Sequence, residues 1–180
     1  MIYTRLQNVL RKLWFEHVSL TRRYIQAVIA NNPSANSIAS RLLKNQDYIG
    51  DLIRPYYGNT AAKQLALLLR EHITIASHIV NATKLGNTSL ANSKEKDWSI
   101  NADKIASFIA NTNAYWNIGA WRAMLREHLR LTKLELSTEL KRDISTSSSV
   151  YNQIRANATQ MADTMYNGLD RQFRATKLIL

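Results

Sequence analysis

Cysteine is absent from this sequence, which excludes disulfides, thiolate nucleophiles, zinc ribbons and iron–sulfur clusters. Glycine and proline are scarce, at 5 and 2 in 180 residues. That is too little turn punctuation for an all-β or doubly wound fold. Long hydrophobic runs are missing as well. Leu65-Ala66-Leu67-Leu68-Leu69 is the longest aliphatic stretch, far short of the roughly 20 residues that a bilayer span requires. No secretory leader precedes the first amphipathic pattern, which follows directly on Met1-Ile2-Tyr3-Thr4-Arg5, so the expectation is an intracellular, non-secreted chain. There is no glycine-rich phosphate loop, no Gly-x-Ser-x-Gly elbow and no dinucleotide fingerprint. No Ser or Thr stands in a nucleophile context, and covalent catalysis is not expected.

Negative charge is in short supply too. Lys and Arg number 24 against 13 Asp and Glu, a formal net charge of +11. Such an excess favours polyanions such as nucleic acid or anionic membrane as partners, and says nothing about fold.

What the chain has in abundance is helical periodicity. Leu10, Leu13, Trp14, His17, Thr21, Tyr24 and Val28 share one face of a first helix, stopped by Asn31-Asn32-Pro33-Ser34, with Ser34 placed to cap the next. Ile38, Leu42, Asn45, Ile49 and Ile53 line a second helix, broken at Pro55 to Asn59. A third, capped by Thr60, carries Leu65, Leu68, Leu69, His72, Ala76 and Ile79 and ends near Gly86. Asn87 to Lys96 reads as a loop or weak helical start, before a fourth helix built on Trp98, Ala102, Ile105 and Ile109. A fifth runs from about Trp116 toward Arg142, Ser145 to Ser149 reads as a linker, and Val150, Ile154, Ala158, Met161 and Met165 mark a sixth. The expected fold is all-α, a single domain over 1–180 built as three tandem αα-hairpins near 8–57, 60–113 and 116–174.

An internal repeat supports the hairpins. Glu16-His17, Glu71-His72 and Glu127-His128 are separated by 55 and 56 positions, and Asp47, Asp103 and Asp163 by 56 and 60. In this reading Ile49, Ile105 and Met165 are equivalent, as are Ile53, Ile109 and Leu169. Three His on three apolar helix faces converge if the odd helices pack side by side at one depth. Imidazoles suit a divalent transition metal, and Glu135, seven residues past His128 on about the same face, would add an oxygen. Asp47, Asp103, Asp163, Thr21 and Thr132 then read as partners that orient the rings. The competing reading is a satisfied polar network that holds the hairpins in register without a ligand. No metal-ligand spacing such as His-Glu-x-x-His or Glu-x-x-His is present.

Arg122, Arg126, Arg130 and Lys133 are spaced by four, four and three, a cationic ladder along the fifth helix. Arg22 and Arg23, with Arg11 and Lys12, form a second group, and Arg171, Arg174 and Lys177 a third. Repeated cations at helical spacing suit phosphate contacts without base readout.

Several motifs also carry a resemblance. Leu13-Trp14 with His17, Thr21 and Arg22 is similar to the opening of an uncharacterised family of small all-helical proteins from spore-forming bacteria and amoeba-infecting giant viruses. Arg41-Leu42-Leu43 with Asn45 and Asp47, and Tyr56-Tyr57-Gly58, continue it. So do Glu71-His72, Trp98 with Asn101-Ala102-Asp103, Met124 with His128 and Thr132, and Met161-Ala162-Asp163 with Gly168, Gln172 and Phe173. The basic, Asn-rich character resembles versions from the Marseillevirus group. The resemblance implies an all-α protein with no established activity and, by analogy, a basic virion component in contact with nucleic acid or other virion proteins. In outline, three His from different helices also resemble the DinB-type bundles, whose paired His on one helix are missing here. A non-enzymatic structural or binding protein is the expected function. The alternative is a metal-binding three-His bundle, with metal-dependent catalysis as its extension.

Overall fold

The computed structural model describes residues 2–174, with side chains from Arg5 onward. Six helices account for nearly all of it: α1 (Ile2–Ile29), α2 (Ala35–Asp51), α3 (Arg54–Lys84), α4 (Thr88–Thr112), α5 (Ile118–Leu140) and α6 (Ile144–Phe173). Among the described residues no strand occurs, and no helix is long and apolar enough to cross a membrane. The fold class is all-α, as the periodicity implied.

Local chemistry explains where the helices start. Asn87, Asn117 and Asp143 each accept a backbone N–H three residues on, from Leu90, Ala120 and Thr146, which satisfies donors that a helix start leaves open. These caps correct three expected boundaries. The polar stretch after Asn87 is helical from Thr88, the fifth helix opens at Ile118 rather than Trp116, and the serine run at 145–149 is the first turn and a half of α6. Ser34 makes no side-chain cap; Asn32 Oδ1 accepts the Ser34 N–H instead. The break expected at Pro55–Asn59 narrows to Gly58, whose φ of 79° interrupts α3 and suits a residue with no Cβ.

Each helix packs on its neighbours in the chain, and α6 returns to α1, so the three hairpins close into a ring. Contacts of α1 with α3 and α5 place the odd-numbered helices inside. Equivalent positions then stack as layers along the ring axis: Leu10, Leu65 and Trp121, then Trp14, Leu69 and Leu125, then the three His, all buried. Closure also depends on small residues. A Cβ on Gly168 would lie 1.9 Å from the Trp116 indole nitrogen, which donates to Met165 O at 3.2 Å. This contact holds the α4–α5 connection against α6.

Candidate functional site: a three-imidazole centre

His17, His72 and His128 come from α1, α3 and α5 and are all buried. The rings of His17 and His128 lie 5.4 Å apart, and those of His72 and His128 6.2 Å. Indoles pack around them: Trp14 edge-on to His17 at 6.0 Å and Trp98 against His72 at 5.0 Å.

Three asparagines from the even-numbered helices hold this layer. Asn45, Asn101 and Asn157 each donate, at 3.1 Å, to a backbone carbonyl of the preceding odd-numbered helix: Leu13, Leu68 and Met124. Each carbonyl belongs to the residue four before the His, so the clamp sits directly under the imidazole. Asn45 and Asn101 also donate to Glu16 and Glu71, at 3.4 and 2.9 Å. Glu127 is engaged by Arg130 instead.

The hydrogen bonds assign the imidazole protons. Asn101 uses its nitrogen on Leu68 and Glu71, so its oxygen accepts from His72 Nδ1–H at 2.7 Å and His72 Nε2 is bare. Asn45 likewise uses its nitrogen elsewhere, and its oxygen accepts from Gln46 Nε2 at 3.1 Å. Gln46 Nε2 also donates to Leu42 O and faces His17 Nδ1 at 3.1 Å. A proton on His17 Nδ1 would face the amide nitrogen of Gln46, so Nδ1 is bare and the single proton of the ring sits on Nε2, aimed at His128 Nε2 3.5 Å away. His128 then carries its proton on Nδ1.

All three rings are neutral. Burial pushes each pKa from 6.5 down to about 3, and a neighbouring imidazole adds to the effect. Such a group neither holds charge nor exchanges protons near neutral pH. Among the described residues, no group of three or more His, Asp or Glu side chains is arranged to hold a metal ion.

The residues expected to support the imidazoles lie elsewhere. Glu135 is buried but paired with Arg22 at 2.8 Å, and Arg22 also reaches Glu139 and Ser147 and lies over the Tyr151 ring. Burial raises the Glu135 pKa to about 7 against the opposing pull of Arg22. Asp47 pairs with Arg70, Asp103 with Arg122 and Arg126, and Asp163 with Arg11 and Gln7. These carboxylates serve the outer helix seams, where water can solvate them. Thr21 and Thr132 donate to the carbonyls of His17 and His128 within their own helices. Asp163 is not the counterpart of Asp47 and Asp103. Asn157, 56 positions after Asn101, makes the repeated clamp and fixes Met161 and Met165 as the counterparts of Ile49 and Ile53.

The α5 ladder is largely neutralised. Arg122 and Arg126 share Asp103, Arg130 takes Glu127, and Lys133 takes Glu95 at 2.7 Å. Arg22 is turned inward, whereas Arg23 is exposed. Lys177 lies outside the described residues.

Sequence reasoning missed Gln46 and Asn101 as ring partners and Asn157 as a clamp, although Asn at 45, 101 and 157 repeats at a constant 56. Buried polar atoms without a hydrogen-bond partner among the described residues concentrate here: the indole N–H groups of Trp14, Trp98 and Trp121, His72 Nε2, His128 Nδ1, Gln46 Oε1 and Asn157 Oδ1. The chain matches no family model, and no curated protein or solved structure matches it significantly. Geometry alone therefore carries the functional reading.

Proposed function

We propose that the protein is a non-enzymatic binding scaffold, in which the imidazole centre is a folding element and the outer surface engages a polyanion such as nucleic acid. The observation that carries this reading is a separation of chemistry. The imidazoles and amides are turned inward and tied to one another, while the excess cations stay outside. Not every cation is equally available. On the first hairpin, Lys12, Arg23, Arg41 and Lys44 are exposed without an ion-pair partner among the described residues. The carboxylates of that hairpin are already engaged: Glu16 by Asn45, Asp47 by Arg70 and Asp51 by Arg54. A phosphate at the α5 ladder would have to displace three carboxylates; on the first hairpin it would not.

Titrating duplex DNA at several salt concentrations tests this. Changing Lys12, Arg23, Arg41 and Lys44 to Gln should weaken binding and flatten the slope of log K on log salt by roughly 3.6, at about 0.9 for each phosphate no longer neutralised. Changing Arg122, Arg126, Arg130 and Lys133 to Gln removes the same formal charge and should cost less affinity. Equal losses would mean that only net charge matters.

A second reading, a transition metal at the imidazoles, has one observation in its favour. The 3.5 Å between His17 Nε2 and His128 Nε2 is near the spacing of two imidazole nitrogens on a tetrahedral zinc at about 2.0–2.1 Å each. It requires His17 to move its proton to Nδ1, against the Gln46 amide nitrogen. Zinc that co-purifies and raises the melting temperature would favour this reading. A melting temperature indifferent to zinc, copper and iron would favour the first.

A further inference from the structure

One helical turn beyond the imidazoles, the inner helices do not close. The positions four after each His are Thr21, Ala76 and Thr132, and two turns on stand Ile25, Val80 and Leu136. Together they surround a cavity of about 30 Å³. Ile73 and Ile79 from α3, Leu42 from α2 and Trp98 from α4 complete its wall. Trp98 is the indole packed on His72, so one wall of the chamber is continuous with the imidazole layer. Ala76 stands where the other two repeats carry Thr, and along their whole lengths α3 and α5 pack on each other far less than either packs on its hairpin partner.

We propose that this axial chamber is a binding site for a small uncharged apolar molecule of two or three heavy atoms, the size class of dioxygen. Three observations support the assignment. A water needs roughly 10–15 Å³ of such volume together with two to four polar partners. The chamber has the room, but aliphatic and indole groups dominate its wall. The threonine hydroxyl hydrogens at this level are already committed, each donated to a carbonyl of its own helix, which leaves only acceptor lone pairs. A dry apolar cavity gains contacts when an apolar guest fills it. The mouth is also defined, beside Tyr24, Ser77 and Lys133. Asn81 donates to the Tyr24 hydroxyl at 3.1 Å, and Lys133 is held by Glu95. Both contacts are exposed to solvent. The inference is independent of both the polyanion and the metal readings, since the guest touches no imidazole nitrogen and the one cation at the mouth, Lys133, is already held by Glu95.

Methyl-labelled protein under increasing xenon pressure provides the test. The methyls of Ile25, Ile73, Ile79, Val80 and Leu136 should shift saturably, while those of the remote Ile49, Ile105 and Ile154 stay fixed. Equilibration with dioxygen should broaden the same set relative to nitrogen. Ala76→Leu fills the space and should abolish the saturable shifts without altering the imidazole resonances. Should Ala76→Leu not fold, the smaller Ala76→Val should reduce xenon affinity severalfold. Shifts that are linear in pressure, spread over all methyls, or unchanged in the folded variant would overturn the proposal.

Discussion

The second and third hairpins carry the same three residues in the same places and use them differently. In the second, Asn101 clamps Leu68 O, reaches Glu71 and takes the Nδ1 proton of His72. In the third, Asn157 makes the carbonyl clamp to Met124 but leaves its oxygen, and His128 Nδ1, without a partner among the described residues. Glu127 has gone to Arg130, on the helix surface. The clamp is thus the common structural element of the repeat, and imidazole orientation is a variable laid over it. The geometry at the axis enforces some of this asymmetry. His17 donates to His128, so the two rings cannot carry their protons in the same place.

The largest expected effect is one that breaks all three hairpins together. The three His have a folded pKa near 3 against 6.5 when unfolded, so their contribution is complete above pH 6.5 and is lost as pH falls toward 3. Glu135, raised from 4.5 to about 7, acts oppositely: its protonated form favours the folded state below 4.5, and that benefit is lost as pH rises through 7. Between pH 4.5 and 6.5 the unfolded chain therefore binds about two more protons, net, than the folded one. At about 1.4 kcal/mol per proton and pH unit, stability should fall by on the order of 5 kcal/mol over that window. Urea denaturation at a series of pH values checks this, and a flat profile would mean that the rings already carry charge.

Single substitutions sharpen the contrast between hairpins. Asn101→Ala leaves Leu68 O and His72 Nδ1–H without their partner and should cost roughly 2–6 kcal/mol, at about 1–3 for each of the two buried unsatisfied groups. Asn45→Ala should cost less, because Gln46 still faces His17. Asn157→Ala should cost least, about 1 kcal/mol, since it loses one clamp and removes an oxygen that had no partner. Denaturant midpoints measured at one pH give the order directly. Equal costs would mean that the imidazole contacts contribute nothing beyond the clamp.

Much of this architecture was legible in the residues. The Glu-His spacing located the three inner helices, and the apolar stripes located their partners. Helix α6 shows where pattern reading failed. Met161, Met165 and Leu169 are all buried at successive turns, so a slip of one turn leaves the hydrophobic face unchanged and makes Asp163 resemble Asp47. Polar identity, in Asn157, breaks that degeneracy. The basic ladder on α5 shows the converse limit. Periodicity places four cations on one side of a helix, but their neutralisation comes largely from Asp103 and Glu95 on α4, a tertiary fact. The caps at Asn87 and Asp143 were visible as residue types, yet the polar turns after them carried too few apolar residues to read as helix.

Long-range ¹⁵N–¹H correlation of the imidazole rings, on metal-free protein at pH 6, tests the central claim most directly. Three neutral rings are expected, with His72 and His128 protonated on Nδ1 and His17 on Nε2. An imidazolium at any of the three, or an Nδ1 proton on His17, would contradict it.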